Sequence, residues 1–205
     1  MIINDPTKIE ERSMEIIESE LTIPIPEENK AVVKRVIHAT ADFDYAVNLA
    51  FSEGAVEKAL AALREGCDIV TDTQMAKSGI SKPACAKLGC EVHCFMSDPD
   101  VAEIAKAQGS TRAVASMEKA AALTKPLIFV IGNAPTALLK LCELIGEGRV
   151  SPRLVIGVPV GFVNILEAKE ALLNTDVPYI VAKGRKGGST VAAAIVNALL
   201  YQITR

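Results

Sequence analysis

The chain has 205 residues, half of them hydrophobic and 23% charged, with a formal net charge of −3. That balance provides no basic field to hold nucleic acid or an anionic membrane surface, so neither is expected as a partner. No run approaches the roughly 20 apolar residues needed to cross a bilayer, and Met1-Ile2-Ile3-Asn4-Asp5-Pro6 lacks the cationic start and apolar stretch of a leader, which predicts a cytoplasmic protein.

Residues 1–205 can bury one substantial core, and no repeat, low-complexity tract or composition break divides them, so one domain is expected. Leu, Ile, Val and Ala supply the apolar content while Trp is absent. That suits helices packed on a buried parallel sheet. Asp5-Pro6 opens a first helix carrying Ile9, Ile16 and Ile17, and a second helix spans about 28 to 37. Pro24 and Pro26 keep the linker between them extended. Ser52-Glu53 opens a third helix, closed by Gly66.

From residue 67 onward, β-branched runs alternate with helical patterns. Strands are predicted over Cys67 to Thr71, Cys90 to Phe95, Leu127 to Ile131, Leu154 to Val158 and Tyr179 to Lys183. Ser97-Asp98-Pro99 opens a helix ending near Gly109, and a final helix runs from Ser189 to Ile203 with Val191, Ile195, Leu199 and Ile203 at four-residue steps. The rhythm predicts an α/β fold: one doubly wound, mainly parallel sheet flanked by helices.

The five cysteines, Cys67, Cys85, Cys90, Cys94 and Cys142, lie in apolar segments and read as reduced thiols. Cys90, His93 and Cys94 have a metal-like spacing, but in a strand side chains alternate faces, so His93 would point away from both sulfurs and no metal is expected.

Ligands of open parallel sheets gather beyond the carboxyl ends of the strands. Three junctions there are rich in Gly, Pro and small polar residues: 132–136, 157–162 and 184–190. In the first, Asn133 and Pro135 read as a helix N-cap and first turn without any ligand. The second is equally a tight turn. The third has glycines, Arg185 and Lys186 ahead of a helix, a combination suited to an anion, but no Gly-Lys-Ser/Thr ends it, which argues against a nucleotide.

His38 is one of two histidines and falls where the second helix gives way to a small polar loop. Its side chain type can give and take a proton near neutrality. A helix-capping imidazolium is the alternative reading, and the residue alone does not decide between them.

Taken together, Arg35-Val36-Ile37-His38-Ala39-Thr40-Ala41-Asp42-Phe43, Gly132-Asn133-Ala134-Pro135-Thr136-Ala137-Leu138, Gly157-Val158-Pro159-Val160-Gly161-Phe162-Val163 and Gly184-Arg185-Lys186-Gly187-Gly188-Ser189 resemble, in that order, the signature segments of the precorrin-8X methylmutase family. Glu11-Arg12-Ser13-Met14-Glu15-Ile16-Ile17 adds a fifth segment, so the resemblance covers essentially the whole chain. It implies an isomerase of cobalamin biosynthesis that moves a methyl group from C-11 to C-12 of precorrin-8X or its cobalt form. It also implies a tetrapyrrole substrate, a homodimer with active sites near the subunit interface, and no cofactor.

The family's histidine falls on His38, implied as the proton-transfer residue. Ser13 and Arg35 are implied as substrate contacts, Arg112 as a carboxylate partner, Asp72 and Met75 as pocket lining, and Arg185, Lys186, Gly187 and Ser189 as binding residues of the third junction. Two positions depart from the family pattern: Ala41 stands where Gly is expected and Met14 where Phe is expected. Ala41 would be strained if its position requires positive φ. A non-catalytic corrinoid carrier would keep the cationic contacts without needing His38.

Overall fold

The computed structural model describes residues 4–205; Met1, Ile2 and Ile3, part of the stretch read for a leader, lie outside the described residues. Six strands form one sheet: β1 Leu49–Phe51, β2 Asp68–Thr71, β3 Val92–His93, β4 Leu127–Ile131, β5 Leu154–Gly157 and β6 Tyr179–Ala182. They lie in the order β1-β6-β5-β4-β2-β3. All neighbours are parallel except β1, which pairs antiparallel with β6 through Leu49↔Ala182 and Phe51↔Ile180.

Strand alternation sorts the core into two layers. Ile69, Ile128, Val130, Ile156, Ile180 and Ala182 face one side, where they meet helices α2 Glu27–Thr40, α4 Ala55–Arg64, α5 Gln74–Gly79, α6 Lys82–Leu88 and α11 Ser189–Thr204. Val70, Leu127, Phe129, Ile131, Val155 and Val181 face the other, covered by α8 Arg112–Ala120, α9 Pro135–Gly146 and α10 Ile165–Leu173. Helix α1 Pro6–Glu20 packs outside α2, α3 Tyr45–Asn48 leads into β1, and α7 Pro99–Ala107 packs on α8. The expected doubly wound α/β architecture is present.

The N-terminal punctuation works as the residues predict. The Asp5 carboxylate accepts the N–H groups of Thr7 (2.9 Å) and Lys8 (3.2 Å), and Pro6 occupies the first turn, where its missing N–H costs nothing. Helix α2 runs further than expected, so His38 sits inside its last turn. Ala41 then closes the helix in the left-handed region, with φ 53° and its N–H donating to Ile37 O at 2.7 Å.

Two expectations need correction, and one strand lies outside them. The segment 90–95 forms only the two-residue strand β3, because β3 is a sheet edge with a single partner, β2. The edge strand β1 was not anticipated at all. Asn133 is not the cap of α9: Ala134 holds that position without a side-chain hydrogen bond.

Candidate active site

Going outward from β2, the chain places β3 on one side and β4, β5 and β6 on the other, so the sheet reverses direction between β2 and β4. Such a reversal leaves a crevice beyond the strand ends, where ligands of this fold class collect. Here Asp72, the residue after β2, fills it. Its Oδ1 accepts Gly132 N–H at 2.8 Å, and its Oδ2 accepts Asn133 N–H at 2.8 Å and Ala134 N–H at 2.6 Å. The side chain is buried, and burial pushes its carboxyl up, opposed by these three donors.

Asp72 thus ties down the 132–134 junction that leads into α9, from across the crevice. Asp72 is buried and is not part of the lining of the cavity described next.

Beside the filled crevice, on the α2–α5–α11 side, is a cavity of about 330 Å³ lined by Arg35, His38, Ala39, Met75, Gly79, Ser189, Thr190, Ala193, Ala194 and Asn197. His38 reaches it from the end of α2 and is exposed; among the described residues no side chain hydrogen-bonds it. Met75, on α5, is 70% exposed, a large apolar side chain with nothing over it. Ser189 Oγ and Thr73 Oγ1 are hydrogen-bonded at 2.8 Å, tying the start of α11 to the start of α5. Arg35 borders the cavity while its guanidinium donates to Glu10 Oε1 at 2.6 Å and lies over the Tyr201 ring. Arg35 in turn holds the Glu10 carboxyl below the usual range.

The junctions after β5 and β6 dock on each other next to this cavity. Gly188 N–H donates to Val158 O at 2.8 Å and Gly161 N–H to Arg185 O at 3.3 Å. Gly187 lies so close that an added Cβ would sit 2.1 Å from Val158 O, at φ +157°. Arg185 lies over the exposed Phe162 ring at 5.5 Å.

Lys186 turns to the loop after α2, donating to Asp42 Oδ2 at 2.6 Å and Asp44 Oδ2 at 2.7 Å. These carboxylates raise the lysine's pKa, and Lys186 lowers that of Asp42. The lysine therefore clamps the loop that follows His38.

Of the residues named from sequence, the cavity brings together Arg35, His38, Met75 and Ser189, with Arg185, Lys186 and Gly187 on the adjoining loop. Two lie apart. Ser13 Oγ donates to Ile9 O at 2.7 Å on α1, outside the lining. Arg112 is exposed at the first turn of α8, at the same end of the sheet, where Thr111 and Thr136 hydroxyls are 3.4 Å apart.

Sequence reasoning missed Ala193, Ala194 and Asn197. The signal was available on α11: Ser189, Ala193 and Asn197 recur at four-residue steps and so share a face, opposite in character to the bulky stripe.

No cysteine is paired. Among the described residues one cluster has metal-ligand chemistry, Asp68, Glu91 and His93, at the amino end of β2 and away from the cavity. Lys125 Nζ already supplies the cation there, 2.9 Å from Asp68 Oδ1, with His93 Nε2 3.2 Å from Oδ2. A larger cleft of 680 Å³ at that end is bordered by Lys58, Lys125 and Arg153. Each of these cations is already partnered, by Glu53 O, Asp68 and Glu65 respectively.

The precorrin-8X methylmutase family model matches residues 8–202. The chain belongs to the precorrin-8X methylmutase family. It is 48% identical to cobalt-precorrin-8 methylmutase of Salmonella typhimurium, covering 98% of this chain and 97% of the relative. It is 38% identical to precorrin-8X methylmutase of Pseudomonas aeruginosa, covering 96% of each. The fold superposes on a crystal structure of precorrin-8x methyl mutase from Thermus thermophilus with a TM-score of 0.86, at 42% identity over 94% of this chain and 96% of that one. Methylmutases of this family are isomerases of cobalamin biosynthesis, and this chain is one of them.

Proposed function

We propose that this methylmutase converts precorrin-8X, or cobalt-precorrin-8, to hydrogenobyrinic or cobyrinic acid by moving a methyl group from C-11 to C-12, with His38 as its proton-transfer group. The observation that carries the proposal is the opening of His38 into the same cavity as Arg35, Met75 and Ser189, beside a loop offering Arg185 and free N–H groups. Proton donation to the conjugated ring redistributes its electrons and eases the methyl shift; the imidazole recovers the proton afterwards, so the net reaction is an isomerisation. Met75 supplies an adaptable apolar surface for a ring face. Arg185, beside the cavity, and Arg35, if it exchanges Glu10 for a substrate carboxylate, are placed for the acetate and propionate arms, with Arg112 and Ser13 further out.

The working unit in this reading is a cytoplasmic homodimer of single-domain subunits. A cavity of 330 Å³ lies at the small end of the roughly 300–1,000 Å³ typical of small-ligand pockets, and a corrin precursor with its acidic arms needs more wall than that. Val160, Phe162, Val163 and Leu166 are all exposed beside the third junction, and a second copy docked there would cover them and complete the site. No helix among the described residues is long and apolar enough to cross a membrane.

The test is the absorption spectrum of each pigment incubated with wild type and with His38→Ala. Wild type is expected to generate product, and the variant to bind pigment with conversion slowed by about 100-fold or more. Conversion at the wild-type rate by His38→Ala would remove the proton-transfer role. Pigment bound but never converted by wild type would favour a carrier.

A further inference from the structure

Lys169, on α10, is buried at 3% exposure, yet none of the ion pairs among the described residues includes it. Its ammonium instead donates to two backbone carbonyls of the loop before α11, Gly184 O at 2.7 Å and Lys186 O at 2.9 Å. Burial pulls this lysine down to about 8, which leaves it largely cationic at neutral pH. A desolvated cation costs stability, and an apolar side chain would fill the same space more cheaply.

The arrangement has a geometric effect on the loop. A trans peptide unit is planar with C=O and N–H on opposite sides. Drawing the carbonyls of residues 184 and 186 inward onto Lys169 therefore turns the N–H groups of Arg185 and Gly187 the other way. Neither N–H donates to an acceptor among the described residues, and Arg185 is exposed. Two alternate N–H groups turned outward ahead of a helix offer an anion a pair of donors, and the buried positive charge beneath adds to their field.

We propose that Lys169 is a positioning residue whose ammonium sets the peptide planes of the 184–188 loop, so that the N–H groups of Arg185 and Gly187 receive a carboxylate arm of the substrate. The proposal rests on the reading that this loop faces the tetrapyrrole. Lys169 touches no reacting atom; its contribution is to binding and orientation.

Two independent readouts test it, using full-length Lys169→Met and Lys169→Arg. The first needs no substrate: amide hydrogen exchange across residues 184–189 is expected to accelerate about tenfold or more in Lys169→Met, with the β4 and β5 amides as protected as in wild type. The second is steady-state conversion of the pigment: Lys169→Met is expected to raise KM about tenfold with kcat within about twofold. Lys169→Arg, which keeps the charge and the donors, is expected to recover most of that KM. Unchanged loop exchange in Lys169→Met overturns the proposal, as does a loosened loop with unaltered KM. If Lys169→Met does not fold, Lys169→Arg against wild type decides on the same two readouts: a KM and loop exchange like wild type support the role, and a tenfold higher KM with a rigid loop refutes it. Failure of wild type to convert any pigment would sink the functional reading while leaving the exchange result to stand or fall alone.

Discussion

Ala41→Gly should make this protein more stable. Ala41 closes α2 with φ 53° and ψ 29°, the left-handed conformation that a Cβ makes unfavourable by roughly 1–2 kcal/mol. Glycine removes that strain but returns about 0.5–1 kcal/mol through the extra freedom of the unfolded chain. The balance is a gain of about 0–1.5 kcal/mol centred near 0.75, which for a chain of this size raises Tm by about 1.5–3 °C at the centre. Urea or thermal unfolding of wild type and variant measures it. Ala39→Gly is the control, because residue 39 lies within α2 and glycine there should cost about 1 kcal/mol. The capping bond from Ala41 N–H to Ile37 O survives the change, so pigment conversion should stay within about twofold. A variant no more stable than wild type would refute the strain argument.

Asp72→Asn would set an amide NH₂ against N–H groups now accepted by carboxylate oxygens, and unfolding measurements should find a loss of about 3 kcal/mol; a loss under about 1 kcal/mol would mean the crevice tolerates an unpaired donor. Gly187→Ala should displace the third junction, because its Cβ would fall 2.1 Å from a backbone oxygen, and pigment affinity should drop about tenfold or more; unaltered binding would take that loop out of the site. Asp68 bears on acid stability. Burial would raise its carboxyl, but Lys125, the Glu91 N–H and His93 outweigh that and hold it below the usual value. Its contribution is therefore present above the unfolded value of about 3.9 and is lost as pH falls through the lower folded one. Urea midpoints across that range should fall less steeply in Asp68→Asn, and parallel profiles would contradict the assignment.

What the sequence revealed followed the strength of its local signals. The strands β2, β4, β5 and β6 are buried on both faces, so their runs of Ile, Val and Leu are nearly continuous and their positions were legible to within a residue or two. Strand β1 has three residues and one partner, and its pairing with β6 is a long-range event with no local marker. Arg35, His38, Met75 and Ser189 are named by a resemblance, and the fold brings these four to one cavity, although the 11–17, 132–138 and 157–163 segments do not line it. Asp72 bonds the 132–134 junction and Lys186 bonds Asp42 and Asp44, contacts that the sequence does not announce. Whether a carboxylate or an ammonium faces a ligand or a neighbouring loop depends on residues about 60 or 144 positions away, and no local pattern encodes that. Lys169 was invisible for the same reason: a lysine within an amphipathic helix reads as solvent-facing until the loop it supports is in place.

The filled crevice between β2 and β4 has a bearing on what this fold rejects. The strand order from β3 to β6 is the one in which flavodoxin-like proteins seat a phosphate-bearing ligand at the reversal, against a helix N-terminus. Here the chain carries its own carboxyl group in that seat, tethered and held by three hydrogen bonds. A nucleotide phosphate would have to expel a covalently attached competitor. With a side chain in that seat, the open space of the molecule lies instead under α2 and α11, in the cavity lined by Arg35, His38 and Met75.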